Sequence, residues 1–121
     1  MNESGLKRIP QFEAKPKSGY FKISGRSYPE NVAEVFESFV LDIRKYLENP
    51  QEQTRLDINL EFCSTSTTKK LIEIFEILDQ LSLNNKSVQI QWFCEQDDED
   101  KQELGEDLKT STKSDFSIIL V

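Results

Sequence analysis

A chain of 121 residues with 36% hydrophobic side chains, including eight Phe, three Tyr and one Trp, is long and apolar enough to bury one proper core. With a net charge of −7 and no His, it lacks the basic face of a nucleic-acid binder, the commonest metal ligand and any phosphohistidine carrier function. The charge is local: residues 95–107 hold eight acids against one Lys, and the rest of the chain is neutral.

The opening Met-Asn-Glu-Ser-Gly-Leu-Lys-Arg has no apolar signal core, and no apolar run approaches a membrane span, so a cytoplasmic protein is expected. Residues 1–8 read as a flexible tail and residues 9–121 as a single domain. Ile9 to Glu13 alternates, with Pro10 confining it to an edge strand. Lys15 to Gly19 reads as a turn, and Tyr20 to Ser24 as a strand paired with the first. Gly25-Arg26 makes the next turn. Ser27 and Glu30 then fit a capping box, with Pro29 tolerated in a first turn. The stripe Val32, Val35, Phe36, Phe39, Val40, Ile43, Tyr46, Leu47 predicts the helix that follows, and Asn49-Pro50 stops it.

Thr54 to Phe62 alternates as a strand, with Leu56, Ile58, Leu60 and Phe62 inward and Asp57, Asn59 and Glu61 outward. By that parity Cys63 falls on the polar face. A second helix runs to about Leu83, where Asn84-Asn85 supplies a left-handed stop. Ser87 to Cys94 is a strand with Val88, Ile90, Trp92 and Cys94 inward, so Cys63 and Cys94 are not placed to bridge. The acids then open a third helix, weakened by Gly105, and Asp115 to Val121 closes the chain as a strand. The order β-β-α-β-α-β-α-β implies a largely parallel sheet. Its alternating inner strands leave one face wet and put the helices on the other.

Between the third strand and the second helix lie five hydroxyl side chains in a row, Ser64-Thr65-Ser66-Thr67-Thr68, followed by Lys69-Lys70. One hydroxyl suffices for an N-cap. Five mark the corner as a working site, and its chemistry is read as reversible phosphorylation. Lys69, four residues after Thr65, is spaced to pair with a phosphate. The plain alternative for the corner is capping alone. For Lys69 and Lys70 it is a solvated helix face, and for the acids of 95–107 a solubilising helix. Those acids show no calcium-loop spacing, and no metal or cofactor is expected.

The box Gly25-Arg26-Ser27-Tyr28-Pro29-Glu30-Asn31, the strand end Phe62 before Ser64-Thr65-Ser66-Thr67-Thr68-Lys69, and Trp92-Phe93 leading into Asp98-Glu99-Asp100 and Gly105-Glu106-Asp107 resemble the SiaC-like regulatory phosphoproteins. These are small bacterial proteins related in fold to STAS-domain anti-anti-sigma factors, and the resemblance runs from about Ile9 to Ile119. It implies an α/β, STAS-like fold: a mixed sheet of four to five strands with about three helices mainly on one face. It also implies a protein without catalytic activity. A Ser/Thr kinase of histidine-kinase-like ATPase fold would modify the corner, and a metal-dependent Ser/Thr phosphatase would reverse this. The unmodified form would bind and activate an output protein, a diguanylate cyclase in c-di-GMP and biofilm signalling. Where the family corner usually reads Asn-Thr-Ser-Ser, this chain has Ser64-Thr65-Ser66-Thr67, so Thr65 inherits the acceptor role with Ser66 second. Tyr28, Glu30, Asn31, Ser64, Thr67, Thr68 and Lys69 are the expected partner contacts. The competing readings are an anti-anti-sigma-type antagonist of a kinase or anti-sigma factor, an unswitched scaffold, and an enzyme with Thr65 or Ser66 as nucleophile. The last has no His to activate it.

Overall fold

The computed structural model describes residues 9–28 and 30–121. It has five strands, β1 (Pro10–Lys15), β2 (Tyr20–Ser27), β3 (Gln53–Cys63), β4 (Ser87–Cys94) and β5 (Asp115–Leu120), and three α-helices, α1 (Val32–Tyr46), α2 (Thr65–Leu83) and α3 (Glu99–Lys109). The strands lie in one sheet in the order of the chain, β1 to β5. β1 is antiparallel to β2, and every later pair is parallel.

Register explains where the core lies. Ala14 and Phe12 pair with Phe21 and Ile23, which pair with Leu56 and Ile58; these in turn pair with Ile90 and Trp92, and Ile90 with Phe116. Residues directly opposite one another share a face, so one apolar row crosses the whole sheet. That row forms a single buried cluster with Phe36, Phe39, Ile43 and Tyr46 of α1, Leu71, Ile74, Phe75 and Leu78 of α2, and Leu108 of α3. All three helices therefore cover one face, and Asn59 and Glu61 on the other are exposed. Asp57 is the exception among the outward residues: it is buried at 4% exposure, held by Arg55 through two 2.9 Å bonds and by the Tyr20 hydroxyl at 3.0 Å.

Three expectations are corrected. Gly25-Arg26 is not a turn; β2 continues through Ser27. Between the pairs Gly25–Leu60 and Arg26–Phe62 the register slips, and Glu61 is the extra residue on β3. Gly25 accommodates this bulge with φ +91, where a side chain would be strained. One inserted residue reverses the facing of all that follow. Phe62 therefore turns outward, 43% exposed, while Cys63 turns in and packs against the core. Nor does Ser27 cap α1. That helix opens at Val32 after Asn31, which is left-handed (φ 54) and makes no side-chain cap bond. Ser27 is committed to the sheet opposite Cys63, and Pro29 lies outside the described residues, as does the tail 1–8.

Gly105 has a reason that its helix propensity hides. It sits where α3 crosses Trp92, and a Cβ there would come within 2.6 Å of the indole Cδ1. The indole N–H donates to the Lys101 carbonyl at 3.0 Å, fixing α3 onto β4.

Candidate functional site

The loops after β2, β3 and β4 emerge at the carboxyl ends of the parallel strands, the edge at which open α/β sheets carry their sites. The hydroxyl corner is the middle one. Ser64 is extended (φ −74, ψ 167), and its backbone N–H donates to the Ser27 carbonyl at 3.1 Å, tying the corner to the end of β2. Its hydroxyl accepts from the Thr67 N–H at 3.2 Å and so caps α2.

The five hydroxyls then separate by environment. Ser64 is the cap, and its Oγ also lies 2.9 Å from Thr67 Oγ1 and 3.2 Å from Ser66 Oγ. Thr67 is fully buried, hydrogen-bonded to the Ser27 hydroxyl and donating to the Ser27 carbonyl at 3.3 Å. Thr68 donates back to the Ser64 carbonyl at 3.1 Å. Ser66 is half-buried on the cap. Thr65 alone is exposed, and among the described residues nothing hydrogen-bonds its side chain. Thr67, expected among the partner contacts, has another place: buried against β2, it fastens the corner and offers no surface.

The electrostatics favour an anion at Thr65. The first-turn N–H groups of a helix lack intrahelical acceptors and sit at the positive end of its dipole. Lys69 is exposed one turn on, with no ion pair among the described residues. Lys70 is spent: it binds Glu73 at 2.9 Å, and Arg44 approaches the same carboxylate at 3.6 Å. The Lys70 bond holds the Glu73 carboxyl below its ordinary range, with Arg44 assisting. Beside the corner, burial pushes the Cys63 thiol up, against the lesser opposing pulls of the Thr68 hydroxyl and Lys101.

Of the other expected contacts, Tyr28 is half-buried and stacks on Phe62, with ring centroids 4.5 Å apart at 22°. Glu30 and Asn31 are exposed on the same loop. Phe62 escapes a sequence reading because alternation turns it inward; the only sequence cue is Gly25, which pairs with Leu60 at the edge of the bulge. A cavity of about 280 Å³ adjoins Phe62, lined by Leu60, Cys63 and Leu104 with Glu61, Asp98, Asp100 and Lys101. Asp98 is engaged as the cap of α3, accepting from the Lys101 N–H at 3.0 Å. Among the described residues no group of three or more Cys, Asp or Glu is arranged to hold a metal, and no helix is long and apolar enough to cross a membrane. A roomier cavity of about 430 Å³ lies at the opposite end of the strands, between Ala14, Pro16, Lys45 and Tyr46, away from the corner.

A family model described as SiaC family regulatory phosphoprotein matches residues 4–121 of this chain. The chain belongs to the SiaC family. An uncharacterized protein of Pseudomonas aeruginosa strain UCBPP-PA14 is 25% identical over 114 residues, covering 94% of this chain and 90% of that protein. The fold matches that of Pseudomonas aeruginosa SiaC in a crystal structure with the diguanylate cyclase SiaD, of which it is called the activator. The TM-score is 0.87 at 25% identity, over 93% of each chain. Apo-SiaC from the same organism gives a TM-score of 0.81 at 25% identity, over 91% of this chain and 89% of that one. The helix-covered mixed sheet expected for a SiaC-like chain is the one found, with five strands.

Proposed function

We propose that this SiaC-family chain is a non-catalytic, cytoplasmic partner switch whose acceptor is Thr65. Unmodified, it binds and activates a diguanylate cyclase, as the relative crystallised with SiaD is described to do. A Ser/Thr kinase of histidine-kinase-like fold adds the phosphate from ATP, and a metal-dependent phosphatase removes it. The observation that carries this reading is the isolation of Thr65: exposed, unbonded among the described residues, and set on the first turn of α2 between its open N–H groups and Lys69. Nothing in the corner supports a nucleophilic enzyme, since no His exists in the chain to activate a hydroxyl.

Partner contact is assigned to the surface around Thr65: Ser64 and Thr68 at its base, Lys69 beside it, and Tyr28, Glu30 and Asn31 on the neighbouring loop. Phosphate adds bulk and a tightly hydrated charge to a contact made for a neutral hydroxyl, so the partner is released. The test is a pull-down of a SiaD-type cyclase with wild type, Thr65→Ala and Thr65→Glu, beside intact-mass measurement of each protein from its native cells. Thr65→Ala should bind and carry no phosphate, and Thr65→Glu should fold but not bind. A Thr65→Ala chain still modified on Ser66 would reassign the acceptor. Binding indifferent to every change at Thr65 and Ser66 would end the switch reading.

A further inference from the structure

Ser27 and Thr67 are 1% and 0% exposed, so neither hydroxyl can meet a partner or a kinase. Yet the corner is built on them. The Ser27 hydroxyl bonds Thr67 Oγ1, and the Ser27 carbonyl accepts from both the Thr67 hydroxyl (3.3 Å) and the Ser64 N–H (3.1 Å). The first turn of α2 is thereby fixed in rotation by a strand 40 residues earlier in the chain.

We propose that Ser27, Thr67 and Ser64 are positioning residues that select Thr65 as the single phosphoacceptor of the corner, an inference that rests on the phosphoprotein reading above. A helix turns about 100° per residue, so two residues differ by about 200°. Holding Thr67 into the sheet therefore turns Thr65 to the opposite side, out to solvent. Ser66, between them, is half-buried and tethered by Ser64 Oγ at 3.2 Å. Its hydroxyl must leave that partner before it can lose its proton and take the phosphoryl group from ATP with release of ADP. Thr65 leaves nothing. A net hydrogen bond biases such a choice by up to about tenfold, and burial of Ser66 adds to it.

The test uses the full chain in its native cells, with phosphopeptides of the corner quantified by mass spectrometry and each purified protein melted. One variant carries Ser27→Ala with Thr67→Val; removing both partners together leaves no buried orphan, so stability changes little. A second carries Ser64→Ala, and its control carries Ser64→Asn, which restores a capping acceptor. In the first two the ratio of phosphate on Ser66 to phosphate on Thr65 should rise, by up to about tenfold where Ser64→Ala removes the Ser66 tether, and Ser64→Asn should return it to the wild-type value. An unchanged ratio in folded variants overturns the proposal, even where total phosphate falls, because a merely structural role lowers both sites alike. Equal phosphate on Thr65 and Ser66 in wild type also overturns it. If wild type yields no phosphopeptide from the corner at all, the phosphoprotein reading falls, and the selection with it.

Discussion

A phosphate on Thr65 would add about −1.5 to −2 charges at a point where the helix dipole and Lys69 both favour an anion. The modification should therefore leave the fold intact, and the Thr65→Glu protein should melt within a few degrees of wild type. Differential scanning fluorimetry checks this. At Gly105 two effects oppose each other: helix propensity favours Ala by about 1 kcal/mol, whereas overpacking costs about 1–3 kcal/mol. A contact of 2.6 Å to the Trp92 indole is closer than a Cβ tolerates, so either the ring or α3 must move and the bond to the Lys101 carbonyl suffers. Gly105→Ala should lower the urea midpoint and alter the fluorescence of the sole Trp. The sequence shows Gly105 only as a weak helix former, because the cost lies in a contact between residues 13 apart in the chain. The place of Ser27 is hidden for a similar reason. Its spacing from Glu30 fits a capping box, but its hydroxyl is claimed by Thr67, and only the fold brings the two together.

Elements were legible wherever their period was unbroken: the buried stripe of α1, the alternation of β4 and the left-handed stop at Asn85 (φ 65) all lie where the pattern puts them. The pattern failed where β2 and β3 end side by side: β2 runs on through Gly25-Arg26, and β3 carries an extra residue. Alternation carries no marker for an inserted residue, so the bulge at Glu61 could not be read, and with it went the true facing of Phe62 and Cys63. The bulge has a testable consequence. Deleting Glu61 should remove the bulge and leave the facing as it is, because the strand then runs Leu60 in, Phe62 out and Cys63 in, opposite Gly25, Arg26 and Ser27. In wild type both thiols should alkylate slowly, since Cys94 is buried and burial raises the Cys63 thiol. The deletion protein should keep both thiols slow, counted by intact mass after a short pulse of iodoacetamide. A fast-reacting thiol in the deletion protein would show that the register beyond Leu60 had shifted and turned Cys63 out.

For the whole molecule, acids are the conspicuous feature, and their mere number tempts one towards a metal. Millimolar Mg²⁺ or Ca²⁺ should nonetheless leave the melting temperature nearly unchanged, because tight binding to the native state would raise it by mass action. A saturable rise with either ion would contradict this. Acid should act through specific pairs. The Glu73 carboxyl is depressed in the fold, first by its bond to Lys70 and then by Arg44. Its contribution is present above the ordinary glutamate range and is lost as pH falls through the lowered folded value. The difference in urea midpoint between wild type and Glu73→Gln should therefore be largest near neutrality. It should shrink below about pH 4 and shrink again with added salt, the carboxylate being partly exposed.

The strand order has a consequence in time. Because β1 to β5 follow one another across the sheet as they do along the chain, no strand has to be threaded between two already paired. Each new strand adds to the growing edge at a short loop-closure cost, which favours folding faster than that of a sheet assembled from distant partners. β2, β3 and the start of α2 are complete before β4 leaves the ribosome. Ser27 and Thr67 can thus meet while the acidic third of the chain is still being made. The corner would be set early in the life of the protein, and a kinase could act on it as soon as synthesis ends.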